Sequence, residues 1–242
     1  MKQSDEMKRC VPDKTIETTE GYYAGVRHEQ NNQRIITPGS QYLVQLLKGG
    51  YLGEKYLHGR GMSALDVGCG SGYNSISLAQ MGWNVRGCEI SADIVQHATQ
   101  NIASYGLNIP IDIGSNEALP YQDNTFDFLL SMSVIHYLQS QASVFAAVEE
   151  YARVLKKGGR LFLSTNHPDN WILKNGEWLD SNLVRVNCPE DYRDGTVLFT
   201  FSHETDFMKF FSSCFDGLTV GINRFDFFSK TLHHFILTGT RK

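Results

Sequence analysis

Eight residues restrict the fold more than any other stretch of the chain: Leu65-Asp66-Val67-Gly68-Cys69-Gly70-Ser71-Gly72. An apolar run that reads as a buried strand meets three glycines, and Tyr73 to Met81 then reads as a helix stopped by Gly82. Glycine permits backbone conformations closed to other residues and lets a ligand approach the main chain. The helix start behind it offers unpaired N–H groups and a partial positive charge. The spacing is GxGxG. The dinucleotide fingerprint GxGxxG places its third glycine one residue later. Asp66 stands two positions before the first glycine, where it would repel a pyrophosphate but suits a cationic ligand.

The surrounding pattern gives this turn a setting. Asn84 to Glu89 reads as a second strand, and Ser91 as the N-cap of a helix with Asp93 in its first turn. Ile94, Ala98 and Ile102 share a face of that helix, and Gly106 suits its C′ position. Pro110 to Ile113 and the nearly all-apolar Phe126 to Met132 give a third and a fourth strand. Val144, Val148, Tyr151 and Leu155 form a helical stripe ending at Gly158-Gly159, and Arg160 to Ser164 is a fifth strand. Alternating strands and helices with short links imply a parallel sheet covered on both sides, with its ligand crevice at the carboxyl ends of the strands.

Outside this zone the chain changes character. Residues 1–60 are polar at the start, with one helix expected around Ser40 to Leu47. Residues 166–194 are polar and aromatic with weak periodicity, longer than the usual connection and suited to a lid. A strand over Thr196 to Phe201, a helix over Glu204 to Cys214, and strands over Leu218 to Phe228 and Leu232 to Thr238 complete the chain, the last antiparallel to its neighbour.

The run Asp66 to Gly72 resembles the first motif of class I S-adenosylmethionine (SAM)-dependent methyltransferases, of the type 11 or 25 kind, which has the form acidic-x-GxGxG. The resemblance implies a doubly wound, Rossmann-like α/β sheet of seven strands, mostly parallel with an antiparallel last strand. An N-terminal helical cover (1–60), a SAM-binding core (61–165), a substrate lid inserted after strand five (166–205) and a C-terminal helix and strands (206–242) would make up a single domain. It places Asp66, Gly68, Cys69, Gly70 and Gly72 around the methionine end of SAM, Glu89 and Ile90 at the ribose, and Asn116, Glu117 and Ala118 at the adenine edge. Ser131 and Met132 would border the sulfonium. Asn116 departs from the commoner Asp of the family yet can still hydrogen-bond the exocyclic amine. Lys157-Gly158-Gly159 resembles the structural turn before strand five. Tyr23 and Arg34 are candidates for a cover over SAM, an aromatic face for the sulfonium and a guanidinium for the carboxylate. His136 follows strand four as a candidate general base, and equally as a histidine that only lines the pocket.

Composition narrows the partners. A formal net charge of −4 argues against a dedicated binder of duplex DNA. The Asn-Pro-Pro-Tyr type motif used on planar amino groups is absent, which argues against nucleobase amines, and the aromatic and polar third zone suits a closed lid, so a small-molecule acceptor is expected. A peptide or protein acceptor, a SAM-binding regulator without turnover, and an NAD-dependent dehydrogenase are the competing readings. No apolar run is long enough to span a bilayer, and the first residues lack the apolar core of a secretory signal. Five cysteines without CxxC spacing and eight scattered histidines argue against a disulfide framework or a metal array and for a reducing, cytoplasmic setting.

Overall fold

In the computed structural model, residues 41–51 and 59–242 are described. The central sheet has seven strands. They are β1 (Ser63–Val67), β2 (Asn84–Glu89), β3 (Ile111–Ile113), β4 (Phe126–Met132), β5 (Leu155–Asn166), β9 (Phe215–Phe227) and β10 (Lys230–Arg241), in the order β3-β2-β1-β4-β5-β10-β9. The first five are parallel, and β10 runs antiparallel to both of its neighbours. Strand order reverses between β1 and β4. Crossovers leave to opposite sides there, so the carboxyl ends of these two strands flank a crevice.

Helices α1 (Gln41–Lys48), α2 (Tyr73–Gln80) and α3 (Ala92–Ser104) share one face of the sheet, and α4 (Gln141–Val154) and α5 (Glu204–Phe211) cover the other. Alternation along β5 shows the division: Leu161 and Leu163 pack with α4 and α5, while Phe162 packs with Ile76, Phe128 and Leu43. Helix α3 starts as its sequence dictates, with the Ser91 hydroxyl accepting from the Ile94 N–H, and ends before Gly106 at φ 71°.

The observed elements differ from the sequence reading in two places. Helix α4 ends at Val154, ahead of the Gly158-Gly159 pair, because its terminal carbonyls find partners outside the helix. Asn124 and Thr125 donate to the Arg153 and Val154 carbonyls, and the Arg241 guanidinium donates to Leu155 O. The chain then enters β5 early, with a register shift against β4. Residues 166–194, read as weakly periodic, hold β6 (Glu177–Trp178) and β7 (Leu183–Arg185), which form a small antiparallel sheet with β8 (Val197–Phe199), the strand expected over Thr196 to Phe201. Its first two strands are two and three residues long, too short to show a period of two in sequence. Ile172, Leu173, Val184, Val186 and Leu198 form its own apolar core.

Phe201, Phe207, Phe211 and Phe235 tie α5 to the sheet through ring contacts, Phe207 lying 4.4 Å from Phe201 and 5.5 Å from Phe211. Phe207 is fully buried. Phe207→Ala should cost about 3–5 kcal/mol of folding stability by urea denaturation. A loss below about 1 kcal/mol would show that this cluster does not anchor the helix.

Candidate functional site

The site is built from the turn that follows β1. Gly68, Gly70 and Gly72 all have positive φ, at 64°, 55° and 78°. They do different jobs. A Cβ on Gly68 would stand 2.5 Å from the Val134 side chain, and one on Gly72 would stand 2.8 Å from Ile102. A Cβ on Gly70 would meet nothing within 4 Å. The outer two glycines therefore allow close packing, and the middle one faces open space. The Gly68 N–H donates to Cys88 O at 2.8 Å, which binds the turn to the end of β2. Glu89, the last residue of β2, completes the clamp: its Oε1 accepts from the Gly70 N–H at 2.7 Å and its Oε2 from the Ile90 N–H at 2.9 Å.

The open space is a cavity of about 630 Å³ at the carboxyl ends of β1, β2 and β4. Val67, Gly68 and Gly70 form one wall, with Cys88, Glu89, Ile90 and Ile94 beside them. The loop after β3 contributes Gly114, Ser115, Asn116 and Glu117, and the end of β4 contributes Met132, Ser133 and Val134. Tyr137, Leu138, Gln139 and Ser143 continue the wall, and Tyr192 reaches it from the segment between β7 and β8. Among the described residues, two charged side chains line this cavity, Glu89 and Glu117, and both are carboxylates. Burial pushes the Cys88 thiol up to about 12, with the Glu89 charge adding to it, so this sulfur is a neutral wall atom.

Of the residues singled out in the sequence, Gly68, Gly70, Glu89, Ile90, Asn116, Glu117 and Met132 lie on the cavity. Others stand one layer back. Asp66 is buried behind the turn, where its Oδ2 accepts from the Ser75 hydroxyl at 2.6 Å. Cys69 is buried, and burial raises its thiol far above the usual range. Gly72 caps α2. Ala118 closes the loop after β3 by exchanging backbone hydrogen bonds with Ser115. Ser131 is fully buried, with its hydroxyl 3.2 Å from that of Tyr151, and Tyr151 also donates to Asn116 Oδ1. That bond fixes the Asn116 amide from behind. His136 is buried and off the cavity wall, whereas its neighbour Tyr137 reaches it. Burial brings His136 down to about 3, with Arg193 and His234 adding to the effect. Tyr23 and Arg34 lie outside the described residues.

Sequence reasoning missed Tyr192. Its only signal was its place in a polar, aromatic insertion, and nothing local pointed it towards a site so distant in sequence. His167, Asp169 and His233 also come together, with ligand atoms within 4.8 Å of one another. The His167 and His233 rings stack at 3.7 Å and 21°, which sends their nitrogen lone pairs nearly parallel rather than towards one point.

Residues 65–163 match the family described as methyltransferase domain. A ubiquinone biosynthesis O-methyltransferase from Chelativorans sp. is 32% identical over 105 residues, covering 43% of this chain and 40% of that protein. A ribosomal RNA small subunit methyltransferase C from Alcanivorax borkumensis is 31% identical over 158 residues, covering 64% of this chain and 45% of that one. The chain thus spans less than half the length of these curated relatives. Among solved structures, a SAM-dependent methyltransferase from Methanosarcina mazei superposes with a TM-score of 0.62 at 20% identity, covering 74% of this chain and 92% of the other. One from Aquifex aeolicus gives 0.55 at 19%, covering 84% and 94%.

Asp66 gives this site a pH signature. Burial lifts its carboxyl from 3.8 to about 7, opposed by the Ser75 bond and reinforced by the Glu89 charge. Between those values the folded chain holds a proton that the unfolded chain has released, so this group lowers stability as pH rises through the window. Asp66→Asn removes the titration. The urea midpoint of the parent relative to this variant should fall between about pH 4 and pH 7 and level off above. Parallel profiles would place Asp66 in water.

Proposed function

We propose that the chain, whose residues 65–163 match the methyltransferase domain family and whose fold is that of SAM-dependent methyltransferases, transfers a methyl group from SAM to a small-molecule acceptor, releasing S-adenosylhomocysteine. The observation that carries this reading is the charge of the cavity wall. Among the described residues that line it, the charged side chains are Glu89 and Glu117, both carboxylates. Such a wall suits a sulfonium, and the GxGxG spacing of the turn departs from the GxGxxG of dinucleotide sites.

The residues present fit SAM part by part. Gly70 leaves its side-chain position empty, so the methionine end can lie against the main chain. Glu89 spends one lone pair of each oxygen on the loop and keeps others for the two ribose hydroxyls. Asn116, held by Tyr151, and Glu117 border the place for adenine. Met132 and Tyr137 lie towards the sulfonium. Bound there, SAM supplies an electrophilic methyl group and a neutral thioether leaving group. The protein's share is to orient donor and acceptor in line and to exclude water. His136, buried off the wall and neutral, takes no part in proton transfer across this cavity.

For the acceptor, the ubiquinone biosynthesis relatives support a small molecule. The ribosomal RNA relative points the other way. A net charge of −4 and a cavity wall whose described charged residues are both acidic favour the first.

Calorimetry tests the donor assignment. S-adenosylhomocysteine should bind in the micromolar range or tighter, and NAD should give no heat. Glu89→Ala should weaken S-adenosylhomocysteine about ten- to a hundredfold, the worth of hydrogen bonds to a charged group. Equal affinity in parent and variant would remove Glu89 from the site.

A further inference from the structure

Beyond the donor cavity, the sheet carries a second set of polar groups. Asn166 ends β5, and antiparallel pairing sets it opposite His234 on β10, which is in turn opposite Asn223 on β9. Residues directly opposite in antiparallel strands project from the same face. The three therefore form one row across β5, β10 and β9, spanning two strand spacings, about 10 Å. Each has a buried nitrogen without a hydrogen-bond partner: Nδ2 of Asn166, Nδ1 of His234 and Nδ2 of Asn223. His136 is buried with both ring nitrogens unpartnered, and His234 and Arg193 are the charged or ionisable groups whose fields reach it. Buried polar groups are nearly always paired, so a concentration of unpaired ones marks a place where water or the hydroxyls of a ligand can bind.

The row adjoins the donor cavity. Ser164, two residues before Asn166 on the same face, receives the Ser133 N–H on its carbonyl at 3.0 Å, and Ser133 lines the cavity. On the other side, Tyr192 lines the cavity and its ring carries the Arg193 guanidinium at 4.9 Å. Arg193 binds Asp191 through Nε at 2.7 Å and Nη2 at 2.9 Å, so its charge is already matched.

We propose that this row is the acceptor subsite and that the acceptor is a neutral polyhydroxylated molecule of the glycosyl class. This rests on the methyltransferase reading above. The two asparagine nitrogens are donors and need oxygen acceptors, whereas each neutral imidazole offers one donor and one acceptor. A hydroxyl group donates and accepts, so several on one ligand satisfy the whole set. A carboxylate would need a free cation, and Arg193 is engaged. A cationic acceptor would find no carboxylate in the row, and Asp191 is held by Arg193. A flat phenol carries too few oxygens and would leave most of the row unpartnered. In the transfer, the acceptor oxygen forms a bond to the methyl carbon as the methyl–sulfur bond breaks, and that bonding pair stays on sulfur. The hydroxyl proton, strongly acidic once its oxygen carries the methyl group, passes to the unpartnered Nδ1 of His234 and from there to water.

The test is transfer of radiolabelled methyl from SAM by the full chain to a panel of neutral oligosaccharides, methyl glycosides, catechols, carboxylic acids and ribosomal RNA. S-adenosylhomocysteine binding is measured alongside by calorimetry. Label should enter a glycosyl compound as a methyl ether. On that acceptor, Asn223→Leu should raise KM at least tenfold, while the Kd for S-adenosylhomocysteine and the melting temperature stay near the parent values. His234→Phe should lower kcat/KM at least tenfold, and His234→Asn should recover part of it. Label in catechols, acids or RNA alone, or in no compound while S-adenosylhomocysteine binds, overturns the proposal. So does an unchanged KM in Asn223→Leu. Failure to bind S-adenosylhomocysteine would instead defeat the donor assignment on which it stands.

Discussion

The site depends on one clamp: the carboxylate at the end of β2 holds the amide of the middle glycine after β1, with Glu89 Oε1 2.7 Å from Gly70 N. Around it the turn is fixed by bonds from Gly68 and Cys69 to Cys88 O and by the lack of side chains at Gly68 and Gly72. With those contacts in place, the space above Gly70 is left open by packing and not by chance. Two adjacent parallel strands thereby become the floor of a cavity whose charged groups are both acidic.

The sheet extends this logic sideways. Its parallel half supplies the crevice where strand order reverses, and β9 and β10 continue past β5 as a long antiparallel pair. The face that carries Phe162 and Ile236 into the apolar layer below carries Asn166 and His234 nearer its edge. One strand face thus changes from core to polar surface within a few residues. The insertion between β5 and α5 has a small core of its own and reaches the cavity through Tyr192. An element stabilised by its own packing can vary without disturbing the donor site.

Legibility in sequence followed the range of the interactions. The turn at 68–72, the Ser91 cap and the strand–helix alternation are local, so their residues could be read directly. Glu89 and Asn116 lay at strand ends that the pattern had already placed, and both reach the cavity. Asp66 was placed near the ligand because an acidic residue precedes the glycines, but side-chain alternation on β1 turns it away from the cavity onto Ser75. Tyr192 and the Asn166–His234–Asn223 row depend on pairing between distant segments, which no local period encodes. Of the strands in the insertion, Val197–Phe199 lies within the apolar run at 196–201 and was legible, whereas Glu177–Trp178 and Leu183–Arg185 were too short to announce themselves.

A crystal structure with S-adenosylhomocysteine bound would test the central claim most directly. The account predicts the amino-acid end against the Gly68–Gly70 main chain and both ribose hydroxyls about 2.6–3.2 Å from the Glu89 carboxylate. It also predicts the sulfur facing Met132 and Tyr137. Density for the nucleoside elsewhere, or a Glu89 carboxylate that does not touch the ribose, would contradict it.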